Sequence, residues 1–350
     1  MDFQYSTEHD DFRAALRGFL RDHVPDLRAA DGHDSRLWRR LCAELELPGL
    51  HIPAEYGGAG ATLVETAIAC TELGRSLAPV PFVANAFAME AILRMGDEEQ
   101  RKTLLPGLLS GEQVAAFAAF GPSAADAAGN GKLTGECSPV LHGHVADLFV
   151  VPAGRNGRVT PHVVRADAPG VRVERLPSFD LTRPVAALQL SDAPAEALGA
   201  GAPGAFDRVT DVARVLLAAE MLGGAESCLD MAVDYACRRT QFDHPIGSFQ
   251  AVKHACAEMM IEIDATRAAV MYAAMSATTG EDLHLAAPLV KAQAADTFVQ
   301  CAGTAIQVHG GIAFTWEHDL HLYFRRATTA AALFGSSAHH RALLADRAGI

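Results

Sequence analysis

Aromatic residues are scarce in this chain, 7% of 350 positions, with only two tryptophans. A predominantly β core draws on aromatic and β-branched side chains. Alanine, leucine and arginine favour helix instead, so mostly helix with a smaller β portion is expected. Long apolar runs are missing too. No stretch approaches the roughly 18 residues of a membrane span, and Met1-Asp2-Phe3-Gln4-Tyr5 has no apolar signal core. The expectation is a cytoplasmic protein with no membrane role. Positive charge is under-represented: 29 lysines and arginines face 42 acids, a net charge of −13. That argues against nucleic acid or an anionic membrane as the main partner. It leaves room for a local basic site that takes a phosphate-bearing ligand.

No cysteine pair has C-x-x-C spacing. The seven cysteines (Cys42, Cys70, Cys137, Cys228, Cys237, Cys256, Cys301) are odd in number and lie mostly in apolar helical surroundings. They read as free buried thiols of a reducing compartment. No metal is expected. His318 and His321 have helical spacing, but no carboxylate or cysteine set accompanies them. His339-His340 reads as a surface pair.

What is present is a helix–sheet–helix order. Apolar periodicity predicts helices over residues 6–28 (Ser6 or Thr7 as N-cap), 37–47, 63–77, 82–95 and 98–109. The texture then changes to Gly, Pro, Thr and Val. Candidate strands are 114–120, 132–135, 147–152, 162–165, 171–176 and 185–190, with turns at 129–131, 155–157 and 169–170. This reads as a small antiparallel β domain. After the linker 199–204, four long helices are expected over 205–239, 249–279, 284–309 and 317–346. The glycine-rich stretch Pro53–Gly60 follows no strand and lacks phosphate-loop spacing, so it reads as a structural loop.

Two stretches carry chemistry. The first runs from Arg238 to His254 and includes Arg239, Gln241, Phe242, Ile246, Phe249 and Gln250. Arginines next to an aromatic and a helix start suit an extended anionic ligand, because guanidinium forks onto phosphate and helix N-termini attract negative charge. The second, Gln307-Val308-His309-Gly310-Gly311-Ile312-Ala313-Phe314, has the same character, with glycines that let a ligand approach the backbone.

These stretches, together with Pro53–Gly60, Glu72–Pro79 and Ser178–Pro184, resemble the acyl-CoA dehydrogenase family over nearly the whole chain. The resemblance implies an N-terminal helical domain (1–114), a middle β domain (115–198) and a C-terminal four-helix bundle (199–350). It implies FAD, an acyl-CoA substrate desaturated at the 2,3-position, a dimer or tetramer, and an electron-transfer flavoprotein as partner. In the family a neighbouring subunit supplies the pyrophosphate and adenine contacts of each FAD. Arg239, Gln241, Phe242, Ile246, Phe249, Gln250, Gln307, His309, Gly310 and Gly311 match that donated half, and Asp211 and Arg214 match CoA contacts.

The other half departs from the pattern. The β-domain flavin loop reads Ala119–Asp126 without its Thr-Glu pair, and Cys137 and Pro139 replace a lysine and an aromatic. Ser123 and Ser138 remain as weak contacts. Phe334 and Ala213 occupy the two positions where family members carry the catalytic glutamate. Glu220 and Glu226 read as solvated or interfacial carboxylates. The resemblance therefore implies the base-less subunit of a heteromeric (α2β2) enzyme. A homomeric flavoprotein with a relocated base and a non-catalytic CoA-binding scaffold are the alternatives.

Overall fold

The computed structural model describes residues 5–118, 126–127, 131–155, 158–199 and 204–350. The expected turns at 129–131 and 155–157, the 199–204 linker and the end of the first expected strand lie partly or wholly outside the described residues. Helices α1 (Thr7–His23), α2 (Ser35–Leu45), α3 (Leu63–Arg75), α4 (Phe82–Met95) and α5 (Glu98–Leu109) come first. Their starts follow from side-chain caps. The Ser6 hydroxyl accepts from His9 N, Asp34 accepts from Arg36 N and Leu37 N, and Asp97 forms a reciprocal box with Gln100. Helix α1 ends at His23 rather than 28, where Pro25 approaches and the residue before it is driven to extended backbone.

Strands β1 (Ala115–Phe117), β2 (Asp126–Ala127), β3 (Lys132–Leu141), β4 (Leu148–Arg155), β5 (Arg158–Arg165), β6 (Val171–Leu176), β7 (Val185–Pro194) and β8 (Glu196–Ala197) form one sheet. The order is β6-β7-β3-β2-β4-β5-β8, with β1 on β4. It is not purely antiparallel as expected: β1 and β2 both run parallel to β4. The covered face packs Leu133, Cys137, Val140, Phe149, Val151, Val164, Leu188 and Leu190. Each large apolar side chain buried there contributes about 1.5–3 kcal/mol.

The remaining helices are α6 (Ala205–Arg238), α7 (Gln250–Thr279), α8 (Leu283–His309), α9 (Leu320–Ala332) and α10 (Ser337–Ala348), with a two-residue hairpin β9 (Thr240–Gln241) and β10 (His244–Pro245) between α6 and α7. The single helix expected over 317–346 is two. The chain breaks because Phe334 (φ 60°) and Gly335 (φ 112°) leave helical backbone, and the Ser336 hydroxyl caps the next helix by accepting from His339 N at 3.2 Å. Among the described residues no helix is long and apolar enough to cross a membrane.

The chain divides into two compact units. One comprises residues 25–65 and 79–213 and holds the sheet with α2, α4 and α5; the other comprises 1–24, 66–78 and 214–350. In the first, Asn85 of the buried helix α4 bridges secondary structure, accepting from Ala115 N and donating to Leu108 O. In the second, α8 is buried over most of its circumference, and Thr266 of α7 shares a buried 2.8 Å hydrogen bond with Thr297 of α8. Helices α3 and α6 touch backbone to backbone. A Cβ on Gly223 would sit 1.8 Å from Thr71 O, and one on Gly74 2.0 Å from Glu220 O. Gly224 beside it receives the Phe298 ring.

Gly223→Ala is therefore expected to lower unfolding free energy by roughly 2–3 kcal/mol or more. Gly18→Ala, in helix α1 with nothing within 4 Å of the new methyl, is expected to raise it by about 0.5–1 kcal/mol. Urea unfolding of the two variants checks both signs.

Candidate functional site

Helix α6 delivers the first motif. Arg239 N donates to Tyr235 O and Ile246 N donates to Arg239 O, both at 2.8 Å, which closes the hairpin on the helix end. The register pairs His244 with Gln241 and Pro245 with Thr240. That leaves Phe242 (φ 53°) and Asp243 (φ 62°) as the central residues, both in the left-handed region. Such a turn normally takes Asn-Gly. A phenylalanine there costs about 1–2 kcal/mol, and its ring is 86% exposed. It meets Phe249 edge-to-face at 6.3 Å. Arg238 is held by Asp234 at 2.5 Å. The exposed Arg239 guanidinium has no salt bridge or hydrogen bond among the described residues. Gln241 is exposed and turned onto Thr240 O, Gln250 opens α7, and Ile246 is half-buried.

Helix α8 delivers the second motif to the same end of the bundle. The His309 ring stacks on Tyr235 at 4.3 Å and 21°, and meets His318 edge-on at 4.8 Å. His309 Nδ1 donates to Ala305 O at 2.8 Å, and burial holds this imidazole below its usual pKa. Gly310 (φ 66°) and Gly311 follow, and a Cβ at either would meet nothing within 4 Å. Gln307 is exposed. Tyr235 and His318 join this site only in three dimensions; neither has a sequence signal beyond lying near a motif. His318 and His321 are engaged in aromatic stacks, His321 on Trp316 at 5.2 Å.

The arrangement presents an uncommitted cation, two aromatic faces and bare backbone. Such a surface can receive an extended anionic ligand.

The two positions at which the resemblance places a base behave differently. Ala213 is 1% exposed within α6, and Phe334 is half-buried at the α9–α10 break. Below that break Lys291, fully buried, donates from Nζ to Ala331 O at 3.3 Å, a cation on a helix C-terminus. His340 is also fully buried, which corrects its expected surface position. Burial, then the Lys291 and Arg214 cations, push its pKa down to about 3.

Glu220 is not solvated: it is buried and paired with Arg326 at 2.8 Å. Glu226 is shared by Arg75 at 3.2 Å and Arg267 at 2.7 Å. It belongs to a polar cavity of about 380 Å³ whose lining includes Tyr5, Arg13, Arg17, Arg75 and Arg267. Those arginines are taken up by Glu72, Glu226, Asp230 and Asp264, so the cavity wall is a balanced ion-pair network.

Asp211 (3% exposed) and Arg214 (9%) are buried one turn apart on α6. Residues 119–125 of the expected flavin loop, with Ser123, lie outside the described residues. Cys137 points into the sheet core, where burial pushes its thiol up to about 11, while Ser138 is exposed on the other face. In Pro53–Gly60 the backbone N–H groups of Gly58, Ala59 and Gly60 bond to Pro53, Gly49 and Ile52 carbonyls. That loop spends its donors internally and offers no phosphate cradle.

The family profile described as acyl-CoA dehydrogenase, N-terminal domain, covers residues 6–112, and that of the C-terminal domain covers 200–349. The chain is 35% identical over 305 residues to the acyl-CoA dehydrogenase IpdE2 of Mycobacterium tuberculosis, spanning 87% of this chain and 84% of that protein. Among solved structures it resembles a variant of the Tcur3481-Tcur3483 steroid ACAD, with TM-score 0.90, 31% identity and 98% of each chain covered. It also resembles the ChsE4-ChsE5 complex of M. tuberculosis, with TM-score 0.92, 27% identity, and 100% and 99% covered.

The buried His340 carries a pH signature. The unfolded imidazole titrates near 6.5, so between about pH 6.5 and 3 the unfolded chain takes up a proton that the folded chain refuses. Stability then rises with pH across this window. His340→Gln is expected to flatten the slope of unfolding free energy against pH in that range by up to about 1.4 kcal/mol per pH unit, read from urea titrations at several pH values. An unchanged slope would contradict the assignment.

Proposed function

The chain belongs to the acyl-CoA dehydrogenase family, and from that premise we propose that it is the base-less subunit of a heteromeric acyl-CoA dehydrogenase. It lends FAD contacts across an interface to a second dehydrogenase-like subunit. The observation that carries this reading is an asymmetry. Arg239, Phe242 and Phe249 are displayed at the bundle end with Gly310 and Gly311 open beside the same helix ends. The positions of both family bases hold Phe334 and Ala213, which can accept no proton.

The residues present fit the dinucleotide end of FAD. The Arg239 guanidinium makes charge-assisted bonds to a pyrophosphate. Phe242 and Phe249 cover apolar ring surface, and Gln241, Gln250, Gln307 and the backbone at Gly310–Gly311 meet polar edges. Ile246 and His309 hold these groups in place from behind. When bound, FAD would supply the acceptor for a hydride leaving the β-carbon of an acyl-CoA thioester, with an electron-transfer flavoprotein as the proposed onward electron acceptor. The α-proton goes to a carboxylate of the partner subunit, because an α-C–H beside a thioester needs a base within reach.

Glu220 does not serve as that base, since it is buried and paired with Arg326 inside the bundle. Asp211 and Arg214 remain the proposed CoA contacts. The steroid enzyme among the similar structures supports a bulky acyl group as substrate.

Co-expression with a dehydrogenase-like partner tests this. The complex is expected to bind FAD and oxidise a bulky acyl-CoA in a dye-linked assay, whereas the lone chain stays colourless. Arg239→Ala should weaken FAD binding by the complex about 10- to 150-fold, the worth of a charged hydrogen bond of roughly 1.5–3 kcal/mol. Phe334→Glu alone should create no activity. Stoichiometric FAD and turnover in the lone chain would overturn the heteromeric reading.

A further inference from the structure

The polar cavity of about 380 Å³ belongs to one compact unit, and none of its residues is part of the two cofactor motifs. Helix α1 contributes Arg13 and Arg17, α3 Arg75, α6 Glu226 and Asp230, and α7 Arg267. Tyr5 also lines it, with the Arg13 guanidinium 4.5 Å from the centre of the ring. The volume lies in the range of small-molecule sites, roughly 300–1,000 Å³.

The ion pairs around this cavity balance unevenly with depth. Two carboxylates are withdrawn from water: the Glu72 side chain is 1% exposed and that of Glu226 13%. Arg17 donates to Glu72 from Nε at 2.8 Å and from Nη2 at 2.7 Å. Arg13 Nε stands farther from the same carboxylate, at 3.9 Å. Glu226 accepts from Arg75 at 3.2 Å and from Arg267 at 2.7 Å. Four guanidiniums therefore share two inner carboxylates, an excess of two positive charges. The groups that offset this excess lie outside. Asp10 (64% exposed) pairs with Arg13, Asp230 (60%) with Arg75 and Asp264 (54%) with Arg267. Pairs with carboxylates so exposed contribute little and are screened by salt.

A ligand carrying two negative charges can take over the donors that these aspartates hold weakly. Guanidinium forks match the oxygens of carboxylate and of phosphate. Leu222, Leu229 and Ile263 add an apolar side to the cavity, which suits a short carbon skeleton. On a chain of net charge −13, an inner positive excess is a local attractor for anions.

We propose that this cavity binds a small organic dianion, a dicarboxylate or a phosphate monoester, on Arg13, Arg17, Arg75 and Arg267. The bound dianion ties α1 to α3 and α7. The site shares no residue with the Arg239 hairpin, so it stands whether or not the chain lends FAD contacts.

The test is calorimetric titration of the full chain at low ionic strength with succinate and with glycerol 3-phosphate, and with acetate as the singly charged control. A single equivalent of dianion is expected to bind, more tightly than acetate, and the tighter of the two dianions identifies the head group. Arg13→Gln should weaken binding about 10-fold or more, the worth of a charged hydrogen bond. Asp230→Asn should tighten it, because a competing carboxylate is gone; a purely structural ion-pair network gives no such gain. This second variant leaves both inner carboxylates paired, and it decides the matter should Arg13→Gln not fold. Binding that persists in Arg239→Ala supports the cavity as the site, and its loss there overturns it. Failure of both dianions to bind, binding no tighter than that of acetate, or an Asp230→Asn affinity equal to or below wild type also overturns it.

Discussion

The backbone contact between α3 and α6 is the constraint on which the functional geometry rests. Gly74 and Gly223 remove two side chains so that one helix can lie against carbonyls of the other. Helix α6 carries Ala213, Arg214, Glu220, Tyr235 and Arg238, and Arg239 follows directly, so its seating decides where each of them points. Any residue larger than glycine at either contact would displace this whole set. The close approach also buries Glu220, which then requires Arg326; a lone buried carboxylate would cost several kcal/mol.

From that seating the two motifs acquire a common address. Tyr235, one turn before Arg239, stacks on His309, the last residue of α8. The stack joins a helix end that presents arginine and phenylalanine to a helix end that presents bare glycine backbone. An aromatic contact of this kind is worth about 0.5–1.5 kcal/mol beyond its buried area. It holds the register between two segments that share no other motif residue. The strained Phe242 turn and the exposed rings around it are poor choices for a free surface and good ones for a surface that another molecule covers.

The interior around Phe334 is built differently. Where a base would stand, the chain has a left-handed phenylalanine, a buried lysine on a helix end and a buried neutral histidine. Lys291 satisfies the end of α9 through Ala331 O, and none of the three groups is a carboxylate. The base-less reading thus rests on what fills the place as well as on what is missing from it.

Much of the fold was legible in the sequence because its signals are local. Helices α4 and α5 begin and end at the predicted residues, and β6 does too, since apolar period, capping residues and proline act within a few positions. The parallel pairing of β1 and β2 with β4 and the burial of Glu220 and His340 depend on contacts between residues distant in the chain. Residue types and spacing determined the helical class, the central sheet and the family to which the chain belongs. Only tertiary packing decided which groups are displayed, which are buried, and which imidazoles meet, because burial and convergence are properties of how elements stack.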